Sequence, residues 1–384
     1  MKQTQEIEEV PVTAFRDGLK RAIGQLECRA SVLRAEGLKG ASRALFLAQL
    51  AKTGNRTVVV LTPDQNTGEA LLGDLKYFFH HGKTGGVPRF FPAWELLPYE
   101  HLSPLPEISG ERLEILYLLL KGKLPFLVVP IEAAMQCVIP RSELDKLTFP
   151  IARGETFERE LLEACLSENG YTRTSLVESH GEFSVRGDIV DIHPPASSNP
   201  LRVEFFDDTV ESIREFDISS QVSVNEIEAV EILPVREVCP TLGQRKEGVE
   251  KILKLAEEQS VERAGLKELL DKIQHRGNFP GIENLGPFFY SRRETLFNYL
   301  PADVLFVIDE EDAVRYKCEH YNELIQSEYA LARGSREVAV SPKSFYLDPD
   351  EVGSQMAGRN RISISALNLS GENETGAMHL DVKP

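Results

Sequence analysis

The sequence predicts an α/β protein in which a mainly parallel sheet of the nucleotide-fold type is interrupted by a smaller α+β unit. Three observations carry this. Helical periods alternate with short, mainly apolar runs at Arg56–Leu61, Pro125–Pro130 and Asp303–Ile308, the pattern of strands buried on both faces. Between about 149 and 235 the alternation gives way to one helix followed by several strands of period two. Charge changes at nearly the same points: residues 1–150 hold 18 Lys+Arg against 17 Asp+Glu, 151–235 hold 6 against 18 with no lysine, and 236–384 hold 19 against 25. At 384 residues the chain exceeds what one core serves, so two or three domains are expected. The divisions fall at 1–148 (nucleotide fold), 149–235 (α+β), 236–345 (completing the module) and 346–384 (polar linker).

In chain order, Phe15, Leu19, Ala22, Ile23, Leu26 and Ala30 recur at three- and four-residue steps and predict a helix over 13–35. GLKGASRA, Gly37 to Ala44, then leads into an apolar helical run. The β-branched strand RTVVVL is closed by Thr62-Pro63-Asp64, and a helix follows over Glu69–Phe79. A strand opens at Arg89–Phe91, a helix covers Glu111–Leu120, and Pro125–Pro130 is a buried strand. Past the boundary, Phe157–Asn169 is the helix of the α+β unit. Beyond that unit, helices are expected over Gln244–Glu258, Val261–His275 and Glu310–Tyr329, with the strand Asp303–Ile308 before the last. The tail from about Ser341, rich in Ser, Asn and Gly, reads as linker.

Within the α+β unit, alternation assigns faces. Leu201, Val203 and Phe205 belong on a core, which turns Arg202, Glu204 and Phe206 outward. Asp207-Asp208 makes a tight turn and Thr209–Phe216 returns as the partner strand. The preceding strand sends Phe183 and Val185 one way and Glu182, Ser184 and Arg186 the other, with Gly187 placed for a bulge. Outward arginine and phenylalanine on neighbouring strands are the mix found at the centres of protein interfaces. The plainer alternative packs Phe206 under a helix and leaves both arginines in solvated ion pairs. An acidic unit without lysine is poorly suited to a phosphate backbone and better suited to a protein with a basic surface.

The Gly37 loop invites a phosphate-binding reading, which requires GxxxxGK[ST]. In the frame Gly37, Gly40, Ser42, Arg43, Ala44, a serine replaces the second glycine, an arginine the lysine, and Ala44 removes the hydroxyl that would hold magnesium. A degenerate loop without hydrolysis is expected, and no catalytic residue or metal site is assigned. The competing enzyme reading, an ATP-dependent DNA-remodelling domain, would use this loop with Asp309 and Glu310, which follow an apolar strand; the plainer one makes them the acidic start of the next helix. Trp94 and Tyr99 could stack on a base, but no basic cluster surrounds them. Cys28, Cys137, Cys165, Cys239 and Cys318 are scattered, and His80-His81, His101, His180 and His193 lack metal-ligand spacing, which fits a reducing cytoplasm. The polar start MKQTQEIEEV has no signal character, and no apolar run is long enough to span a membrane.

Several stretches together resemble one family. FPAWELLPYEHLSPLPEISGERLEIL, VVPIEAAMQ, HGEFSVRGDIVDIHPP, LRVEFFDDTVESIREFD and GIENLGPFF look like the amino-terminal part of the bacterial transcription-repair coupling factors (Mfd), over about residues 13 to 345. That region is in turn similar to the excision-repair protein UvrB: GLKGASRA falls at its phosphate loop, RGDIVDIHP in its second domain, and GIEN occurs in both. The resemblance implies a UvrB-like module, a degenerate helicase-like (RecA-like) domain with an inserted α+β domain that binds UvrA. The family's contact residues, the Arg of the RG pair and the Arg and second Phe of RxxFF, correspond to Arg186, Arg202 and Phe206. It further implies that a carboxy-terminal domain of the full-length protein masks this face. The resemblance also implies that RNA polymerase and DNA are engaged only by downstream domains, that ATP and magnesium serve the motors of the full-length family protein, and that this chain needs no cofactor itself. Tyr99-Glu100-His101-Leu102 runs into a short segment where UvrB has a long DNA-clamping hairpin, so clamping is not expected here.

Overall fold

The computed structural model describes residues 32–366 apart from 54–55, 83–85, 98, 262 and 336. Most of the expected first helix lies outside the described residues. Its last part is corrected: Val32–Glu36 is a strand, β1, so the glycine loop joins a strand to a helix.

The elements run β1, α1 (Ala41–Thr53), β2 (Val58–Thr62), α2 (Gln65–Gly82), β3 (Arg89–Phe90), α3 (Pro106–Leu120), β4 (Phe126–Pro130), α4 (Ile131–Met135), β5 (Cys137–Val138) and α5 (Arg141–Leu147). After the insert come α7 (Leu242–Glu258), α8 (Arg263–Asp271) with a π turn over Lys272–Arg276, α9 (Gly286–Phe289), β14 (Glu294–Thr295), α10 (Leu296–Tyr299), β15 (Leu305–Asp309), α11 (Glu311–Gly334), α12 (Pro349–Met356) and β16 (Arg361–Ser365). The main sheet has the order β1-β16-β15-β2-β4-β3, and every pairing in it is parallel.

The apolar runs are buried on both sides, as their composition requires. Val58, Val60, Phe126, Val128, Leu305 and Val307 face one core with α1 and α2. Val59, Leu61, Leu127, Val129, Phe306 and Ile308 face the other, under α3, α4 and α11.

The segment expected as linker is corrected in part. Residues 349–365 form α12 and β16, and β16 lies inside the sheet between β1 and β15. Its alternating RISIS buries Ile362 and Ile364 in the core lined by α1 and α2.

The insert begins at β6 (Phe149–Ala152) and ends at β13 (Ala229–Ile232), which pair antiparallel as a stem. Between them lie α6 (Arg159–Glu168), β7 (Thr172–Arg173), β8 (Glu182–Arg186), β9 (Ile189–Ile192), β10 (Leu201–Phe206), β11 (Thr209–Phe216) and β12 (Ser223–Glu226). Their sheet has the order β12-β11-β10-β9-β8-β7. Phe183, Val190, Ile192, Leu201, Val203, Phe205, Val210 and Ile213 form its core with Leu162 and Leu166 of α6. Gly187, expected at a bulge, instead takes φ 61° in the two-residue turn between β8 and β9, where left-handed backbone favours glycine. The insert meets the main body at Gly110 of α3, where an added Cβ would come within 2.5 Å of Pro195. Among the described residues no helix is long and apolar enough to cross a membrane.

Candidate docking face and closed phosphate loop

The outer face of the insert sheet is ordered by β-pairing. Ser184, Asp191, Arg202 and Arg214 lie in register across β8, β9, β10 and β11. One step toward the β8–β9 turn, Arg186, Ile189, Glu204 and Ser212 form the next row. Phe206 follows Glu204 by two residues on the same face, opposite Thr209, beside the turn at Asp207, where φ is 51°.

The three expected contact residues therefore share a face, but they are not alike. Phe206 is 71% exposed. Arg186 is half exposed, its side chain at 49%. Arg202, expected to protrude, is mostly covered, its side chain at 16%, because its guanidinium lies 4.5 Å from the Phe216 ring centre.

Sequence reasoning missed the group that holds both arginines. Asp191 is 1% exposed. Its Oδ1 accepts from Arg202 Nε at 2.7 Å, and its Oδ2 accepts from Arg202 Nη2 at 3.0 Å and Arg186 Nη2 at 2.6 Å. Arg202 Nη2 also donates to Gln221 Oε1 at 3.3 Å. Hydrogen bonding to Asp191 is the main cause that raises the Arg202 pKa, so the guanidinium is charged throughout any working pH. The available signal was an aspartate between the apolar residues of Ile189–Ile192, a position where a charge requires a partner. Glu204, on the same face, accepts from Ser212 Oγ at 2.8 Å and pairs with Arg214.

The glycine loop stands at the carboxyl end of β1, with Gly37 at φ 82° and Gly40 at φ 52°. Open α/β sheets bind ligands at that end. Here the loop is tied to its own chain: Leu38 N donates to Ser365 O at 3.1 Å and Ser42 Oγ to Lys39 O at 2.7 Å. Ala44 is wholly buried. Arg43 crosses β16 to reach Asp309 at the end of β15, its Nη1 donating to Oδ1 at 3.0 Å and Oδ2 at 2.8 Å. Burial pushes the Asp309 carboxyl up and Arg43 draws it back. Glu310, at φ 59°, accepts from Ala366 N at 2.7 Å. Arginine, aspartate and glutamate are thus all engaged within the chain.

Trp94 and Tyr99 are also engaged. Trp94 Nε1 donates to Glu237 Oε1 at 3.1 Å, beside the fully buried Arg112, which donates to the same oxygen at 2.5 Å. Tyr99 OH donates to Val340 O at 2.6 Å. His180 and His193 lie 4.0 Å apart, centre to centre, and burial with His180 nearby lowers the His193 pKa to about 4. Among the described residues no cluster of His, Cys, Asp and Glu could hold a metal ion.

Residues 149–237 match the UvrB interaction domain. The chain is 33% identical over 347 residues to the transcription-repair-coupling factor of Myxococcus xanthus, covering 88% of this chain and 29% of that protein. It is 30% identical over 337 residues to that of Escherichia coli K12, covering 86% and 28%. The chain is a homologue of the transcription-repair coupling factors. It spans less than a third of the length of these two coupling factors. It is also similar to UvrABC system protein B of Legionella pneumophila strain Corby, at 26% identity over 302 residues, 71% of this chain and 45% of that one.

Proposed function

We propose that this coupling-factor homologue is a non-catalytic adaptor in nucleotide-excision repair, whose insert recruits UvrA through Arg186, Arg202 and Phe206. The observation that carries the reading is Phe206, a large apolar ring left 71% exposed on the same sheet face as two aspartate-bound arginines, within a UvrB interaction domain. Exposed phenylalanine beside arginine is the composition from which interface hot spots are made. On this reading the face is masked by a second partner, the part a carboxy-terminal domain plays in the intact coupling factors, until the motors of those proteins move. Polymerase and DNA are engaged by downstream parts of those proteins.

The adaptor role is supported by the closed phosphate loop. Arg43 and Asp309, the residues from which an ATPase would take its phosphate and magnesium contacts, are bonded to each other. The nucleotide fold then serves as a scaffold, a relic of a helicase-like ancestor.

Titration of the chain with UvrA tests the reading. Phe206→Ala, Arg186→Ala and Arg202→Ala should each weaken binding by about thirtyfold, equivalent to about 2 kcal/mol. Wild-type affinity in all three would reject it. ATP turnover by the purified chain, abolished by an Arg43 substitution, would instead favour an enzyme.

A further inference from the structure

Asp191 is an unusual centre for a docking face. One buried carboxylate is shared by two guanidinium groups, so the cluster carries one positive charge in excess. Arg202 is fixed by Asp191 from two directions, by Gln221 and by the Phe216 ring. Arg186 is held by a single bond from Nη2, and among the described residues its Nε and Nη1 have no hydrogen-bond partner on a half-exposed side chain.

Resting on the UvrA-docking reading above, we infer that Asp191 is the positioning residue of that face. It holds Arg186 and Arg202 side by side so that their free donors meet a carboxylate on the partner, next to the pocket that takes Phe206. The planar fork of a guanidinium suits a carboxylate, and holding it in place beforehand removes the ordering cost from binding. A nucleic-acid phosphate backbone does not fit, because Asp188, Asp207 and Asp208 are exposed at the same end of the sheet and would repel a polyanion. A single carboxylate on a protein surface avoids them.

The inference makes a prediction of opposite sign to simple charge counting. Asp191→Asn raises the charge of the cluster from one to two. If attraction to an anionic partner depended on charge alone, UvrA would bind more tightly. If Asp191 acts by holding the arginines, UvrA should bind about tenfold more weakly. The measurement is affinity of the whole chain for purified UvrA, with circular dichroism confirming the fold.

Arg186→Lys covers the case in which Asp191→Asn does not fold. The change is on an exposed side chain and keeps the charge while losing the fork; binding should fall about as far as in Arg186→Ala. In the Arg186→Ala background Asp191→Asn should cost less than it does in wild type, the coupling expected of groups acting together. Wild-type or tighter binding by Asp191→Asn, or wild-type binding by Arg186→Lys, overturns the inference. The two readings fail separately: if Phe206→Ala and Arg186→Ala bind normally the docking site itself is wrong, and if they weaken while Asp191→Asn does not, only the role of Asp191 is.

Discussion

Arg43 and Arg202 meet the same requirement, a buried aspartate needing a cation, one in the main body and one in the insert. Asp309 has no exposure and Arg43 only 20%, so the pair sits where solvent screens it poorly. Removing Arg43 leaves an uncompensated carboxylate, and Arg43→Ala should lower unfolding free energy by about 3 kcal/mol in urea denaturation, with Arg43→Ala/Asp309→Asn recovering part of it. That Ser42, Arg43 and Ala44 depart from GxxxxGK[ST] is read directly from a local pattern. The partner of Arg43 is not, since it lies 266 residues away and only the parallel sheet brings it near. At Arg202 the alternation gave the right face but not the right depth. Depth depended on Phe216 and Asp191, which reach the guanidinium from neighbouring strands.

Glycines in two helices show why an element must be judged with what it touches. Alanine is favoured over glycine in a helix interior by about 1 kcal/mol. Gly73 of α2 has open space around an added Cβ, so Gly73→Ala should raise the melting temperature. Gly110 of α3 has Pro195 at 2.5 Å, so Gly110→Ala should lower it, the clash costing about 1–3 kcal/mol. The start of α12 makes a pH prediction. Asp348 and Glu351 form a capping box, and Arg293 donates to both Glu351 oxygens and to Tyr346 O. Hydrogen bonding from Arg293 is the main cause that holds the Glu351 carboxyl down at about 2. A depressed carboxyl adds stability above its unfolded pKa, near 4.5, and loses it as pH falls from there toward 2. Thermal melts of wild type and Glu351→Gln should therefore differ most at pH 6 and converge toward pH 2. The strands β2, β4 and β15 were legible as continuous apolar runs. β16 was not, because five alternating residues inside a polar tail resemble a linker until both neighbouring strands are known.

At the scale of the molecule, the main sheet is closed by its last described strand. β1 pairs only with β16 within the sheet, and β15 loses one of its two neighbours without it. A chain ended at residue 345 should lose cooperative unfolding of the main body and aggregate through the bared inner edges, as followed by thermal melts and size-exclusion chromatography. The change from parallel alternation to an α+β insert was legible from the change of hydrophobic period and of charge along the chain. The return at β15 was expected as well, but the placing of β16 between β1 and β15 was not, since that depends on pairings between distant segments.

The position of β16 has a consequence for synthesis on the ribosome. The insert's stem and sheet are made by residue 232, whereas the larger sheet waits for residues 361–365 to emerge. At about 5–20 residues per second, the interval of some 130 residues lasts on the order of ten seconds. During that time the recruiting unit can be folded on a body that is still unfinished, and chaperones would be needed by the scaffold more than by the part that meets the partner.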